Sequence, residues 1–274
     1  MKFDLDKAWR EAVSLLKANL GLLATIAGVF YFLPYTAATS FIPELSQMSN
    51  PAAGMTPEAM IAMFEAIVAK YWWLFLILII LGGIASLAML ALMRQRGKPT
   101  VGEALGSGLR SIATYLGAQV LQAALLVAMV IVLVGLPAAL GSRALSALGM
   151  LVGFVLAIYL VIKLVLVSPV IAIEGERNPV AAMRRSWALT KGSSLRLLLF
   201  FVLLAVAFIV ISSVISLIAT LMLAFASSQI ATFGMSVIEA GTNAIAVVVG
   251  ACVLAAIHGQ LSRQREPVDV GVAG

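Results

Sequence analysis

The chain has 274 residues, of which 62% are hydrophobic and only 11% are charged, and its mean hydropathy is +1.10. A soluble domain usually has about 45 to 50% apolar and ~25% charged residues, so this composition excludes an ordinary soluble protein and indicates an integral membrane protein. The net charge of +6 would also suit nucleic acid, but the excess cations lie beside the ends of apolar segments, where anionic lipid head groups are the nearer partner.

Six continuous apolar segments predict six transmembrane helices, since a helix needs about 20 apolar residues to cross a bilayer. The strands of a membrane β-barrel would instead show alternating segments of about 10 residues. The expected fold class is therefore all-α, with residues 1–274 forming a single integral membrane domain. The predicted spans cover residues 20–42, 71–93, 112–140, 148–173, 197–225 and 241–261.

Basic residues are distributed unequally between the two sides of these spans. Of the 18 Lys and Arg residues, 15 lie before the odd-numbered spans or after the last span, and only Lys70 and Arg143 lie on the opposite side. Cytoplasmic loops collect Lys and Arg, so both termini are expected in the cytoplasm. The remaining cation, Lys163, lies inside the fourth span.

Short amphipathic segments precede the first and third spans on the basic side. Residues 5–20 carry an apolar stripe opposite basic residues, which predicts a helix in the plane of the membrane surface. Before the third span, Thr100 and Glu103 are spaced as a capping box, in which each side chain binds a free backbone N–H group. On the other side, Thr56 and Pro57 predict the start of a short surface helix that leads into the second span.

A third amphipathic segment precedes the fifth span. Asn178 suits the cap before a helix, Pro179 the first helical position and Gly192 the position after the last turn. The sequence thus predicts six transmembrane helices with short cytoplasmic amphipathic helices before helices 1, 3 and 5.

One stretch of the chain has a recognisable pattern. From Val165 to Lys191 it reads VLVSPVIAIEGERNPVAAMRRSWALTK. This stretch resembles a signature of the membrane domain attached to some glycerophosphodiester phosphodiesterases, which related uncharacterised bacterial inner-membrane proteins carry without a catalytic domain. Residues 3–12, FDLDKAWREA, are also similar to this group. The resemblance implies a six-span, multi-pass protein of the bacterial inner membrane.

The resemblance does not imply phosphodiesterase activity. In those enzymes the activity belongs to a separate soluble barrel that uses metal-binding carboxylates and histidines, whereas this chain has one histidine, His258, and no soluble segment large enough for a barrel. No nucleophile with a base, metal-ligand cluster or phosphate-binding glycine loop is recognisable. We therefore expect no enzymatic activity, no cofactor and no metal.

Arg184, Arg185, Trp187 and Lys191 form the first candidate site, for contact with lipid or a protein partner. A basic amphipathic helix with an aromatic anchor is typical of a membrane-surface segment, in which each basic residue near anionic lipid is worth about 1 kcal/mol. The alternative is that these residues only set topology and anchor the helix.

Lys163, Gln119 and Gln122 form a second candidate, an intramembrane polar site. An ionisable group inside a span is a functional candidate by default, although a lysine this near the end of its span could extend to the interface. The two glutamines are three residues apart and face one direction, so they could also hold neighbouring helices together.

These observations favour a non-enzymatic membrane module that interacts with anionic lipid head groups, a membrane-protein partner or a second copy of itself. The alternative is a transporter or channel for a small or lipid-like solute, lined by the intramembrane polar site. Coupling to protons or sodium is disfavoured, because no Asp or Glu lies deep within a predicted span.

Overall fold

A computed structural model describes residues 3–42, 44–45, 56–93 and 100–264. Within these ranges the chain is helical and contains no strand, which confirms the all-α fold class. Five of the basic residues used to infer orientation lie outside the described residues: Lys2, Arg94, Arg96, Lys98 and Arg265.

Seven helices follow one another along the described chain, and all except the fifth are long and apolar enough to cross a membrane. Each predicted span lies on one of these six helices. The helices are α1 (Leu5–Phe41), α2 (Pro57–Leu92), α3 (Val101–Ala139), α4 (Arg143–Glu174), α5 (Pro179–Thr190), α6 (Ser194–Leu223) and α7 (Ser228–Arg263).

Wide π-helical turns accompany the prolines of α1 and α3. In α1 the turn Gly28–Phe32 ends two residues before Pro34, and in α3 the turn Ile131–Gly135 ends two residues before Pro137. A proline has no N–H group, and its ring collides with the carbonyl four residues earlier, so a regular helix cannot continue through it. The wider turn accommodates that carbonyl and lets each helix continue past its proline.

Of the three predicted cytoplasmic surface helices, only the one before the fifth span is a separate element. It is α5, which Asn178 caps by accepting from two backbone N–H groups, and the chain turns after it at Gly192 with φ +82°. Residues 5–20 and 101–111 are instead continuous with the spans that follow. Neither segment contains a proline or another interruption, so the helical hydrogen bonds run on into the membrane span.

Two further helix starts follow the sequence predictions. Thr100 and Glu103 form the predicted capping box: the Glu103 carboxylate accepts from the Thr100 N–H at 2.8 Å, and the Thr100 hydroxyl accepts from the Glu103 N–H at 3.3 Å. Thr56 caps α2 through the Ala59 N–H. The helix then bends at Tyr71, whose φ and ψ are −118° and 21°, so a short helix does lead into the second span.

The six long helices run alternately up and down, which gives the bundle two ends. We call the end that carries α5, the start of α1 and the end of α7 the α5 end, and the opposite end the far end. The buried core is concentrated towards the α5 end, where residues 87–92, 162–172 and 251–261 pack together. Most apolar side chains of α6 are exposed instead, as expected for a helix that faces lipid.

Two glycines of α4 face α3 towards the far end of the bundle. Gly149 on α4 lies directly against the backbone of Leu133 on α3, and a β carbon at Gly149 would overlap the Leu133 carbonyl oxygen. Gly153, one turn later, faces only the Leu133 side chain. Leu133 is also the residue four positions before Pro137, so its carbonyl lies in the π-helical turn. The glycine pair therefore allows α4 to approach α3 at the turn that the proline requires.

Candidate functional site

The hydroxyl of Ser186 on α5 stabilises a break in α4. The regular helix ends at Leu164, and a turn at Val165 and Leu166 precedes Pro169. The buried Ser186 hydroxyl donates to the Lys163 carbonyl at 2.8 Å and accepts from the Leu166 N–H at 3.2 Å. A break in a helix leaves backbone groups without helical partners, and buried groups of this kind need a substitute. The serine of the Arg-Ser-Trp sequence supplies it.

Glu174 holds α5 against the ends of α4 and α7. Its carboxylate accepts from Arg185 Nε at 3.0 and 3.2 Å, and Oε1 lies 2.9 Å from Nε2 of the buried His258. Gly175, at φ +79°, turns the chain directly after Glu174 towards α5. Glu174 and His258, which are 84 residues apart in sequence, thereby fix the position of α5. The guanidinium of Arg185 is paired with Glu174.

The N-terminal segment is attached to the same end of the bundle. Arg196 Nη1 donates to the Phe3 carbonyl at 3.1 Å, and the buried Phe3 ring packs edge-on against Phe200 at 6.2 Å. Arg263 Nη2 binds both carboxylate oxygens of Glu11 at 2.7 and 2.9 Å. The FDLDKAWREA segment thus connects the first helix to α6 and to the end of α7.

An apolar groove lies beside α5. It has a volume of about 400 Å³ and is lined by side chains from α3, α4 and α5. Arg184 and Trp187 are the residues in this lining that could contact a polar head group. The apolar walls consist of Leu121, Leu125, Leu160, Leu164, Val180 and Met183.

Arg184 and Arg185 are adjacent but face different surroundings. Successive residues of a helix point about 100° apart, so when Arg185 turns to Glu174, Arg184 turns to the groove. Arg184 is exposed, and among the described residues it forms no ion pair. Lys191 is exposed directly after the last turn of α5. Of the four predicted contact residues, the structure therefore brings Arg184 and Trp187 together in the groove.

Lys163 is buried against aromatic rings behind this groove. Its Nζ lies 5.4 Å from the ring centroids of both Tyr159 and Trp187, and those two rings pack edge-on at 5.8 Å. A cation over aromatic faces is attracted by their electron density, and the attraction increases when the pair is withdrawn from water. Trp187 thus lines the groove and also contacts Lys163.

The two glutamines of the second candidate bond within their own helix. Gln119 Nε2 donates to the Tyr115 hydroxyl at 3.1 Å, and Gln122 Nε2 donates to Gln119 Oε1 at 3.2 Å. These bonds form a ladder along α3, whereas the ring contacts of Lys163 come from α4 and α5. No group of three or more His, Cys, Asp or Glu residues that could hold a metal occurs in the part of the chain that the structure describes.

One polar feature has no counterpart among the candidate sites. A cleft between α6 and α7 contains Glu239, which lies two residues before the sixth predicted span. Helix α7 begins 13 residues before the predicted span, at Ser228, so Glu239 belongs to a helix long and apolar enough to span the membrane and not to a loop. The polar residues that surround it made the segment look like a connecting loop, which is why the sequence prediction missed it.

One family model is similar to much of the second half of the chain. Residues 136–263 match the family model described as the membrane domain of glycerophosphoryl diester phosphodiesterase. The match contains α4 to α7, and with them Glu174, Arg185, Ser186 and His258. No curated protein and no solved structure matches the chain. The resemblance of the Val165 to Lys191 stretch is confirmed, and the chain is a multi-pass membrane protein similar to that domain.

Proposed function

We propose that this chain is a non-enzymatic module of the bacterial inner membrane that binds an anionic phospholipid of the cytoplasmic leaflet. On this proposal both termini lie in the cytoplasm, and the binding site is the groove between α3, α4 and α5. The observation that carries the proposal is the combination of leucine-rich walls with a single arginine at the groove. The matched family model describes a membrane domain rather than a catalytic domain, which supports a role without chemistry.

The groove has the two parts that a phospholipid requires. Its walls are apolar side chains, so an acyl chain lying there leaves no polar group without a partner. Arg184 presents a guanidinium, which binds a phosphate through two parallel hydrogen bonds. Trp187 lies beside it, and tryptophan rings favour the depth of the lipid head groups. Arg184 and the leucines therefore fit the head group and the chain of the same lipid.

The surroundings of the groove favour an anionic lipid over a neutral one. The Nζ of Lys163 lies 5.4 Å from the centre of the Trp187 ring, which is part of the groove lining. In a region of low dielectric constant, the Arg184 guanidinium attracts a net negative head group more strongly than it would in water. The carboxylate of Glu174 neutralises Arg185 on the other face of α5, so the cation that remains directed at the groove is Arg184.

A lipid-retention experiment tests this proposal. The purified chain is placed in nanodiscs that contain phosphatidylglycerol and phosphatidylcholine, and bound lipids are counted by native mass spectrometry. We expect Arg184→Gln to weaken retention of phosphatidylglycerol about tenfold, since a charge-assisted hydrogen bond contributes about 1.5 to 3 kcal/mol. Phosphatidylcholine retention should fall less, because its choline group leaves the head group without net charge.

The matched control is Arg110→Gln, which removes the same charge from an exposed position on α3 outside the groove. Leu125→Trp fills the groove while leaving every charge in place, and it should also release the lipid. Equal retention by the Arg184 variant and the native chain would contradict the proposal. A role in transport instead of docking would appear as loss of solute flux in Lys163→Met with lipid retention intact.

A further inference from the structure

A cleft of about 600 Å³ lies between α6 and α7, at a distance from the Arg184 groove. Unlike that groove, it is lined by many polar side chains, although both helices are long and apolar enough to span the membrane. The polar residues of its lining are Ser212, Ser213, Ser216, Thr220, Glu239, Thr242 and Asn243.

Three hydroxyl groups of the cleft donate their hydrogens within their own helices. Ser212, Thr220 and Thr242 each donate to the backbone carbonyl four residues earlier, at 2.7, 2.8 and 2.8 Å. A hydroxyl that donates to its own helix keeps its oxygen lone pairs, which can still accept hydrogen bonds. These three side chains therefore present acceptors to the cleft.

Glu239 adds a carboxylate to this set of acceptors. Its side chain is half-buried, and within the described ranges it forms no ion pair or hydrogen bond. An ionised carboxylate in a poorly solvated site is unfavourable unless a cation or donor accompanies it. Asn243 follows one turn later on the same helix. Among the described residues, the lining contains no basic side chain, so a cationic ligand that donates hydrogen bonds would complement the carboxylate and the three hydroxyl oxygens.

The depth of the cleft is that of a membrane interface. Glu239 precedes Arg263 by 24 residues of continuous helix, which corresponds to about 36 Å along the axis. The hydrocarbon core of a bilayer is about 30 Å thick. Arg263 pairs with Glu11 at the α5 end. When the α5 end lies at one membrane surface, Glu239 therefore lies near the opposite surface.

We propose that this cleft binds a primary ammonium group, carried by a lipid head group such as phosphatidylethanolamine or by a free amine. An ammonium has three N–H donors and one positive charge, which match the hydroxyl oxygens and the Glu239 carboxylate. A quaternary ammonium has no N–H donor, so choline-containing compounds bind weakly. The site is separate from the Arg184 groove and does not depend on the function proposed for it.

The test compares two lipids that differ in their N–H donors. The full chain is reconstituted in phosphatidylglycerol nanodiscs that contain equal amounts of chain-matched phosphatidylethanolamine and phosphatidylcholine, and bound lipids are identified by native mass spectrometry. We expect the native chain to prefer phosphatidylethanolamine about tenfold, in keeping with a charge-assisted hydrogen bond. Glu239→Gln should abolish this preference. Glu65→Gln, at an exposed carboxylate of α2, should preserve it.

A second arm separates a lipid from a free amine. Ethanolamine and choline are titrated calorimetrically against the native chain in discs without phosphatidylethanolamine. Glu239-dependent ethanolamine binding without lipid preference assigns the site to a free amine, and lipid preference without ethanolamine binding assigns it to the head group.

Thr242→Val removes one acceptor at nearly constant volume, and it should reduce the lipid preference or the ethanolamine response a few-fold. This variant keeps the test informative if the Glu239 variant does not fold. Arg110→Gln, at an exposed position outside both sites, should leave both signals unchanged. The proposal is overturned if folded Glu239→Gln protein retains the native lipid preference and the native ethanolamine response.

Discussion

The two ends of the helix bundle are held together in different ways. At the α5 end, polar side chains join separate helices: Glu174 binds His258 across 84 residues, and Ser186 binds the broken backbone of α4. In the cleft between α6 and α7, the hydroxyls bond to their own helix instead. Towards the far end, α4 approaches α3 closely because Gly149 lies against the backbone carbonyl of Leu133.

This difference separates the residues that fix geometry from those that are available to a ligand. At the α5 end, Glu174 and Ser186 hold α5 in one position, so Arg184 meets the groove in a defined orientation. In the cleft the polar groups hold nothing together, and Glu239 has no side-chain partner among the described residues. Substitutions at the two ends should therefore differ in their effect on stability even when the chemical change is the same.

The largest expected effect is at the glycine contact. Gly149→Val places a branched side chain where the Leu133 carbonyl lies, and neither backbone can move without disturbing the π-helical turn before Pro137. Overpacking of this kind usually costs about 1 to 3 kcal/mol, and a clash with backbone should reach or exceed about 3 kcal/mol. The measurement is the free energy of unfolding in a sodium dodecyl sulfate titration from mild detergent micelles.

Gly153→Ala is the matched control for this substitution. A β carbon at Gly153 meets only the end of the Leu133 side chain at 3.6 Å, an ordinary contact. Alanine also favours the helix by about 1 kcal/mol over glycine, so this variant should be neutral or slightly more stable. A Gly149→Val protein of native stability would show that α3 and α4 do not approach each other in this way.

Serine substitutions at the two ends give the next largest difference. Ser186→Ala leaves the Lys163 carbonyl and the Leu166 N–H without their partner in a buried site, and should cost about 2 to 3 kcal/mol. Ser212→Ala removes a hydroxyl that bonds only within α6, and should change stability by less than about 0.5 kcal/mol. Similar unfolding free energies for the two variants would remove the distinction between the ends.

The sequence predicted those parts of the structure that depend on local patterns. The six long helices follow from runs of apolar residues, and the starts of α3 and α5 follow from Thr100 with Glu103 and from Asn178. Each of these signals lies in one continuous stretch of the chain, so it can be recognised from the sequence alone. The amphipathic segments before the first and third spans had the right helical period. That helical period does not show whether such a segment ends before the span or continues into it.

The candidate sites depend on contacts between distant segments. Arg184 and Arg185 have the same chemistry and adjacent positions, and what distinguishes them is that Glu174 and His258 meet on one side of α5. No pattern within α5 identifies that side. The contacts of Trp187 with the groove and with Lys163 likewise require α3, α4 and α5 to be in position.

The smallest expected effect comes from neutralising one carboxylate at each end. Glu174→Gln keeps the shape of the side chain but removes the charge that Arg185 and His258 share, and part of this carboxylate is exposed to solvent. We expect a loss of about 1 to 2 kcal/mol in the free energy of unfolding, below the value for a fully buried pair.

Glu239→Gln should instead leave stability unchanged or raise it slightly, because in the described structure this carboxylate has no partner to lose and its desolvation is relieved. Both variants are compared with the native chain in ligand-free micelles, so that no bound lipid or amine adds its own stabilisation. If Glu239→Gln destabilises the protein as much as Glu174→Gln, Glu239 supports the fold, and the cleft is a packing contact rather than an open site.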